Sequence, residues 1–522
     1  MKRLNLIYLL TVFAFIFNCG CFLQEANAQY KNVSKWPRGV TYEIFVQAFA
    51  DSNNDGIGDI KGMTSKLDYL KNLGVEGIWL MPINPSPSYH KYDVTDYYGI
   101  HPDYGTMDDF KNFIKEAHKR NIKVIMDFVI NHSSNQHPWF KDAAKNPNSP
   151  YRDYYVWTHK DDPQTKKEGK PTGADSDNTQ HWHKVAGSDY LYYGYFYDGM
   201  PDLNYDSPKL REEMFKAGRF WLTEVGVDGF RLDAARHIFP DERPKDNHQW
   251  WIYFRNEMMK AKKDVYLVGE VWAPADIVAP YMKGLPALFN FDMGFAITKA
   301  VNEEKAGDLV ANHKKIQDFY QTVNPDYVDA IFLTNHDQNR IMSAVNNDVN
   351  KAKMAAALLL TLPGSPYLYY GEEIGMLGKK PDEYIREPFL WDVKASDKSR
   401  TTWVKPKYTT EETVKPEAVQ MKDKNSIYNH YKTFLSLRNT SKALTYGSLQ
   451  PINLNNEKVS AFTRTQDSES LLVMHNLSHT SLTLNLPEQA KGYQKVYFKN
   501  KDAKVKNQEV VMPAYSTLIL KK

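Results

Sequence analysis

Between residues 40 and 375, eight short runs rich in β-branched and aromatic residues alternate with segments whose apolar residues recur at helical spacing. That alternation restricts the chain to a parallel α/β sheet, because parallel neighbours need a crossover, usually helical, to join them. The runs are Val40–Val46, Val75–Pro82, Val124–Asn131, Val227–Ala234, Val265–Trp272, Ala287–Met293, Ala330–Asp337 and Tyr367–Ile374. Eight parallel strands point to a closed (β/α)8 TIM barrel, with functional residues at the C-terminal strand ends. A doubly wound open sheet is the alternative topology.

The intervening helices have legible ends. Thr106 is placed to cap a helix whose first turn carries Asp108 and Asp109 and whose Phe110, Phe113, Ile114 and Ala117 share one face. Ser207 and Pro208 open another, with Leu210, Met214, Ala217, Trp221 and Val225 on one stripe and Gly226 closing it.

One interval breaks the rhythm. Residues 132–206, rich in His, Asp, Asn, Tyr and Gly, are too long for an ordinary loop and are expected to form an inserted domain over the barrel mouth after the third strand. Past the helix around His430–Arg438 the pattern becomes short alternating strands, among them Leu471–His475, Leu482–Leu486, Val496–Phe498 and Val510–Met512, the signature of a C-terminal antiparallel β-sandwich. The expected partition is a signal peptide over 1–28, a barrel over 36–131 and 207–443, an inserted domain over 132–206 and a sandwich over 444–522.

At the N-terminus, Lys2 and Arg3 precede an apolar stretch from Leu4 to Leu23, and Ala26-Asn27-Ala28 supplies a small-residue cleavage site. This is the layout of a secretory signal, so the protein is expected to be exported, secreted or periplasmic, with no transmembrane helix in the mature chain. A retained anchor is the competing reading, since the stretch approaches the roughly 20 residues that span a bilayer. Another is a surface lipoprotein acylated at Cys21. Cleavage after Ala28 would remove both cysteines of the chain, Cys19 and Cys21, and leave no disulfide. The net charge of +3, without a long basic run, argues against nucleic acid as a partner. A monomer is expected.

Four polar clusters stand at the ends of four of the expected strands: Asp127, Asn131 and His132 in D-F-V-I-N-H; Arg231 and Asp233 in G-F-R-L-D-A-A-R-H; Glu270 in G-E-V-W; His336 and Asp337 in N-H-D. Ionisable groups beside buried strands must be paired, hydrogen-bonded or functional. Carboxylates converging on one mouth repel, which raises at least one pKa and keeps a proton donor beside an ionised partner, the requirement of glycosidic bond cleavage.

These clusters resemble, in content and order, the four signature regions of the α-amylase family, glycoside hydrolase family 13. Met200–Asn204, M-P-D-L-N, resembles the family's additional region in the form typical of members intermediate between neopullulanases and oligo-1,6-glucosidases. The resemblance implies Asp233 as nucleophile, Glu270 as general acid/base and Asp337 as transition-state stabiliser, with retention of the α configuration. It also implies sugar contacts from His132 and His336, from His90 and Tyr92 in S-Y-H-K-Y-D, from Arg386 in R-E-P-F-L-W, and from Arg236 and His237 on the leaving-group side. Arg231, two residues before Asp233, is expected to keep that carboxylate ionised.

Exo-acting α-glucosidases of the family usually carry an Asp three residues before the stacking tyrosine, where this chain has Tyr89. The expectation is endo-acting cleavage of α-1,4-glucan. The alternatives are an exo-acting α-glucosidase, a transglycosylase, or a glycan-binding protein that has lost catalysis. Finally, Asp51, Asn53, Asp55 and Asp59, with Gly56 for the turn and the Ile57 carbonyl, give an oxygen-rich spacing suited to structural Ca²⁺, with a metal-free acidic turn as the alternative. No zinc or nucleotide motif is present.

Overall fold

Strand residues alternate between two hydrophobic cores, one inside the sheet and one between the sheet and its helices. The computed structural model describes residues 33, 36–163 and 181–522. Its barrel strands are β1 (Thr41–Ile44), β2 (Gly77–Leu80), β3 (Lys123–Phe128), β7 (Gly229–Leu232), β8 (Tyr266–Gly269), β9 (Ala287–Asn290), β10 (Val328–Phe332) and β11 (Ser365–Tyr369). They pair in parallel in the closed order β1-β11-β10-β9-β8-β7-β3-β2. Ile78, Leu80, Val124, Met126, Phe230 and Leu232 join the core under the helices, whereas Trp79, Ile125, Val268, Phe289, Ala330 and Tyr367 fill the interior. By the same period of two, Glu43, Asp127 and Arg231 point inward, so the upper layer of the barrel is polar.

The ladders stop earlier than the apolar runs suggested. Asp233 and Glu270 are the first residues after β7 and β8, and His336 and Asp337 stand four and five residues past β10. Hydrophobicity continues beyond the last ladder pair because these segments stay buried at the mouth, so run length overstates strand length.

The helix Met107–Lys119 opens with a full capping box, Thr106 exchanging hydrogen bonds with Asp109, and buries the four expected residues. The helix Pro208–Phe220, capped by Ser207, continues into a π-turn at Trp221–Val225 and ends at Gly226, whose φ of 99° suits a residue without a Cβ.

Between β3 and β7 lies a three-stranded antiparallel sheet, β4 (Trp157–His159), β5 (Trp182–Lys184) and β6 (Tyr190–Tyr193), in the order β4-β6-β5. The bridge from His132 to Asp202 and the Leu203 N–H to Asn131 carbonyl bond tie the end of this excursion to the segment after β3, and the bridge from Tyr155 to Leu203 ties its two halves together. After the helices Ile427–Thr440 and Lys442–Tyr446, the chain forms β12 (Ser448–Pro451), β13 (Val459–Gln466), β14 (Glu469–Asn476), β15 (Leu482–Asn485), β16 (Lys495–Lys499), β17 (Lys504–Lys506), β18 (Glu509–Met512) and β19 (Ser516–Lys521). These make a five-stranded sheet, β12-β13-β14-β19-β16, and a three-stranded one, β15-β18-β17. Leu471, Val473 and Ile519 face the barrel core, while Leu472, Met474, Leu518 and Leu520 pack with Val510 and Met512 of the smaller sheet. One sheet therefore serves two cores.

The signal segment and Cys21 lie outside the described residues. Among the described residues no helix is long and apolar enough to cross a membrane.

Candidate active site

Arg231 organises the mouth. It sits on β7 opposite Asp127 of β3, is fully buried, and its guanidinium reaches three carboxylates. Nη1 donates to Asp127 at 2.9 Å and to Asp233 Oδ1 at 2.7 Å, and Nη2 donates to Glu270 Oε2 at 2.6 Å. One planar cation thus fixes the two carboxylates that follow β7 and β8 side by side. Between them Ala234, at φ 45° in the left-handed region, turns its N–H toward Glu270 Oε2 at 3.3 Å.

Burial pushes the Glu270 carboxyl up to about 7; Arg231 pulls against this, while the Asp233 and Asp337 charges add to it. Asp337 behaves oppositely. Burial opposes its ionisation, but His336, Arg386 and Arg231 together hold it well below the usual carboxylate range. His336 Nε2 is 3.1 Å from Asp337 Oδ2, and Arg386 Nη2 donates to Asp337 Oδ1 at 3.0 Å. The site thus holds a carboxyl that keeps its proton near neutrality beside one that does not.

The cavity above these groups has a volume of about 770 Å³ and is lined by His90, Tyr92, His132, Asp233, Arg236, His237, Glu270, Asp337 and Arg386, all singled out in the sequence. Arg231 and His336 stand directly behind this lining, each about 1% exposed, so His336 meets Tyr92 and Asp337 rather than the open cavity. Tyr92 stacks on the His336 ring at 5.5 Å and donates to Asp127 Oδ2 at 3.1 Å. His132 takes Asn131 Oδ1 on Nδ1 at 3.0 Å and leaves Nε2 without a protein partner. Burial lowers His90 to about 4, and the Tyr92 N–H donates to its Nδ1 at 3.1 Å, so the neutral ring carries its proton on Nε2. Tyr195 stacks on His237 at 4.2 Å, and Arg236 is paired with Asp241.

Phe196, Tyr197, Met200, Trp272, Lys380 and Asp382 also line the cavity without having been assigned to the site. Nothing in local pattern marks Lys380 or Asp382, which arrive on the irregular segment after β11. Glu43 did leave a trace: it is the one charged residue in the otherwise uncharged run Thr41–Ile44, and it contacts His336 from β1. Tyr89 stacks on Trp403 at 5.2 Å, with the Arg386 guanidinium 5.8 Å from its ring, and Arg386 pairs with Asp382 at 3.0 Å.

The Asp51–Asp59 loop is stiffened by its own N–H groups. Asp51 accepts from Asn53, Asn54 and Gly56, Asp55 from Ile57, and Asp59 from Ser52 and from Gly62 as the cap of the helix Ile60–Ser65. The donor set of Asp51, Asn53, Asp55, Asp59 and the Ile57 carbonyl is all oxygen, as Ca²⁺ chemistry requires. Among the described residues, however, no group of three or more His, Cys, Asp or Glu side chains is arranged to hold a metal. Asn131, of the D-F-V-I-N-H cluster, donates its side-chain amide to the His237 carbonyl at 2.6 Å.

A closed parallel barrel with three carboxyl groups converging at its C-terminal mouth defines a TIM-barrel enzyme equipped for acid/base chemistry. Residues 43–447 match the family model for the alpha amylase catalytic domain, and residues 459–519 match that for the alpha-amylase SusG C-terminal domain. Alpha-amylase 3 of Dictyoglomus thermophilum is 44% identical over 507 residues, 97% of each chain. The oligo-1,6-glucosidase of Parageobacillus thermoglucosidasius is 32% identical, covering 91% of this chain and 95% of its own. The crystal structure of an alpha-amylase from H. orenii superposes with a TM-score of 0.86 at 43% identity, covering 93% of this chain and 99% of that one. The chain belongs to the alpha-amylase family and is a glycoside hydrolase.

Proposed function

We propose that the protein hydrolyses α-1,4-glucosidic bonds in starch, maltodextrins and related α-glucans by double displacement, acting within chains. The observation that carries this reading is the single Arg231 guanidinium bridging Asp233 and Glu270. In the first step the Asp233 carboxylate attacks the anomeric carbon while Glu270 gives its proton to the departing glycosidic oxygen. In the second, the Glu270 carboxylate takes a proton from water, whose oxygen displaces Asp233 and restores the α configuration. A retaining pair of this kind stands about 5–5.5 Å apart, leaving no room for water during the first attack. Asp337, ionised beside His336 and Arg386, offers negative charge to the oxocarbenium-like transition state. His90 and His132 present Nε2 to the sugar, and the Tyr92 ring offers its face.

Endo action is supported by Tyr89, since the position holds an aromatic ring in place of a carboxylate. An exo-acting mode, with α-1,6 activity as in the oligo-1,6-glucosidase relative, is favoured by one feature: Asp382 pairs with Arg386 and Lys380 on the cavity wall and supplies a counter-charge from another segment. Product analysis on amylose, pullulan and maltotriose separates them. Maltose and longer products early in the time course support endo cleavage; release of glucose alone from chain ends overturns it, and products longer than the substrate indicate transfer. Asp233→Asn should abolish reducing-sugar release; equal release by both proteins overturns the hydrolytic assignment.

We further propose that Asp51, Asn53, Asp55, Asp59 and the Ile57 carbonyl take up structural Ca²⁺, the side chains turning in to meet it. We also propose that the chain is exported with cleavage after Ala28. Intact mass of the exported protein distinguishes a Gln29 terminus from a lipidated Cys21.

A further inference from the structure

Glu43 lies on the inner face of β1, 2% exposed, with Oε1 2.5 Å from His336 Nδ1. The other ring nitrogen, Nε2, lies 2.6 Å from the Tyr92 hydroxyl and 3.1 Å from Asp337 Oδ2. Whether the Tyr92 hydroxyl turns its one proton toward Asp127 Oδ2, 3.1 Å away, or toward the ring, the ionised Asp337 Oδ2 remains an acceptor beside Nε2, as Glu43 Oε1 is beside Nδ1. Both nitrogens of His336 therefore face acceptors, and a neutral imidazole, with one N–H, would leave one of these contacts as two facing lone pairs. The remaining neighbours do not supply the missing proton. Trp79 meets the ring edge-on at 5.6 Å, and Arg386 Nε donates to the backbone carbonyl of His336 at 2.9 Å, which holds the peptide and not the ring.

We propose that Glu43 is a positioning residue that keeps His336 a doubly protonated cation, and that this buried cation in turn keeps Asp337 ionised and Tyr92 upright on the cavity wall. The charge balance at the mouth gives the arrangement its purpose. Asp127, Asp233, Glu270 and Asp337 crowd around Arg231 and Arg386, and a cationic His336 puts a further positive charge against Asp337 while Glu43 holds the countercharge on the far side of the ring. The direction of the His336 shift agrees: burial works against its charge, yet Asp337 and Glu43 raise it to about 10. The inference rests on the glycosidase reading for its effect on turnover, but the protonation state is measured without substrate, so the two fail separately.

The test is nitrogen NMR of the substrate-free protein with ¹⁵N-labelled histidine, His336 being assigned by the signal lost in His336→Gln. Both ring nitrogens should be protonated at pH 8 in the wild type. In Glu43→Gln, which keeps the shape and removes the charge, His336 should lose a proton at least one pH unit lower than in the wild type. That variant should also lower kcat at pH 7 by tenfold or more, while KM for a maltooligosaccharide changes less than threefold. A wild-type His336 that is neutral at pH 8 overturns the proposal, as does a Glu43→Gln protein with unchanged His336 titration or unchanged kcat. The wild-type spectrum decides even if the variant does not fold.

Discussion

Arg231 and Glu270, 39 residues apart, are joined by a 2.6 Å hydrogen bond from Nη2 to Oε2. The same guanidinium also serves Asp127 and Asp233, so it is the one positive charge shared by the innermost carboxylates. Replacing it by Met should strand Asp127 as a buried carboxyl that has lost its ion-pair partner. Breaking a buried ion pair from one side costs about 3–5 kcal/mol, so Arg231→Met should melt several degrees lower as well as lose turnover. Calorimetry and product release measured together check both.

The pH profile follows from Glu270. Its carboxyl must hold a proton to act as acid, and burial, opposed by Arg231, sets its pKa to about 7. Activity should therefore fall as pH rises through about 7, visible as the alkaline limb of kcat/KM. In Glu270→Gln that limb should vanish together with nearly all activity on glucans. A wild-type limb lying above pH 9 would contradict the assignment.

His336 couples stability to pH with a definite sign. Its folded pKa is raised to about 10 by Asp337 and Glu43 against the effect of burial, well above the ordinary histidine value near 6.5. The stabilisation is fully present below about 6.5 and is lost as pH rises through about 10. The melting-temperature difference between wild type and His336→Gln should thus shrink between pH 7 and pH 10. Thermal melts across that range measure it.

The barrel and the C-terminal sheets are joined by a buried arginine. Arg464 of β13 donates to the Thr361 carbonyl at 2.6 Å and to the Gly447 carbonyl at 3.0 and 3.2 Å, finishing the helix Val349–Thr361 from another module. Arg464→Leu leaves those buried carbonyls unmet, at about 1–3 kcal/mol each. Melting temperature should drop, while turnover per folded molecule stays at the wild-type value because the active site is untouched. Denaturant unfolding and specific activity separate the two effects.

Calcium makes a separate prediction. Removing it with a chelator should lower the melting temperature, and metal analysis of the untreated protein should find calcium. Asp55→Ala, an exposed position on the Asp51–Asp59 loop, should reduce both the calcium content and the chelator response. Absence of calcium with an unchanged melt would leave the loop held only by its hydrogen bonds.

Much of the architecture was readable because it is written in local periods. Thr106 with Asp109, Ser207 with Pro208, and Gly226 mark helix ends through bonds made within a few residues. The apolar run Leu471–His475 likewise needs only the strand itself, which is buried on both faces. The charged residues beside β3, β7, β8 and β10 stood out because ionisable groups next to apolar runs are costly unless used. Strand lengths were overstated where a buried segment follows a ladder, since burial and ladder pairing look alike in one dimension.

By itself, then, the amino-acid order determined the kind of elements, their succession into an eightfold barrel with appended sheets, and which acids and bases would be available at its mouth. Which of them meet was decided only by closure of the barrel. Pairing of β1 with β11 carries Glu43 to His336 across 293 residues, and alignment of β3 with β7 sets Asp127 against Arg231 across 104. Glu43 and Asp382 went unassigned for that reason: their partners are fixed by sheet register and by where an irregular segment lands. Charge sharing and protonation depend on distances of a few ångströms, and those exist only once the chain has folded.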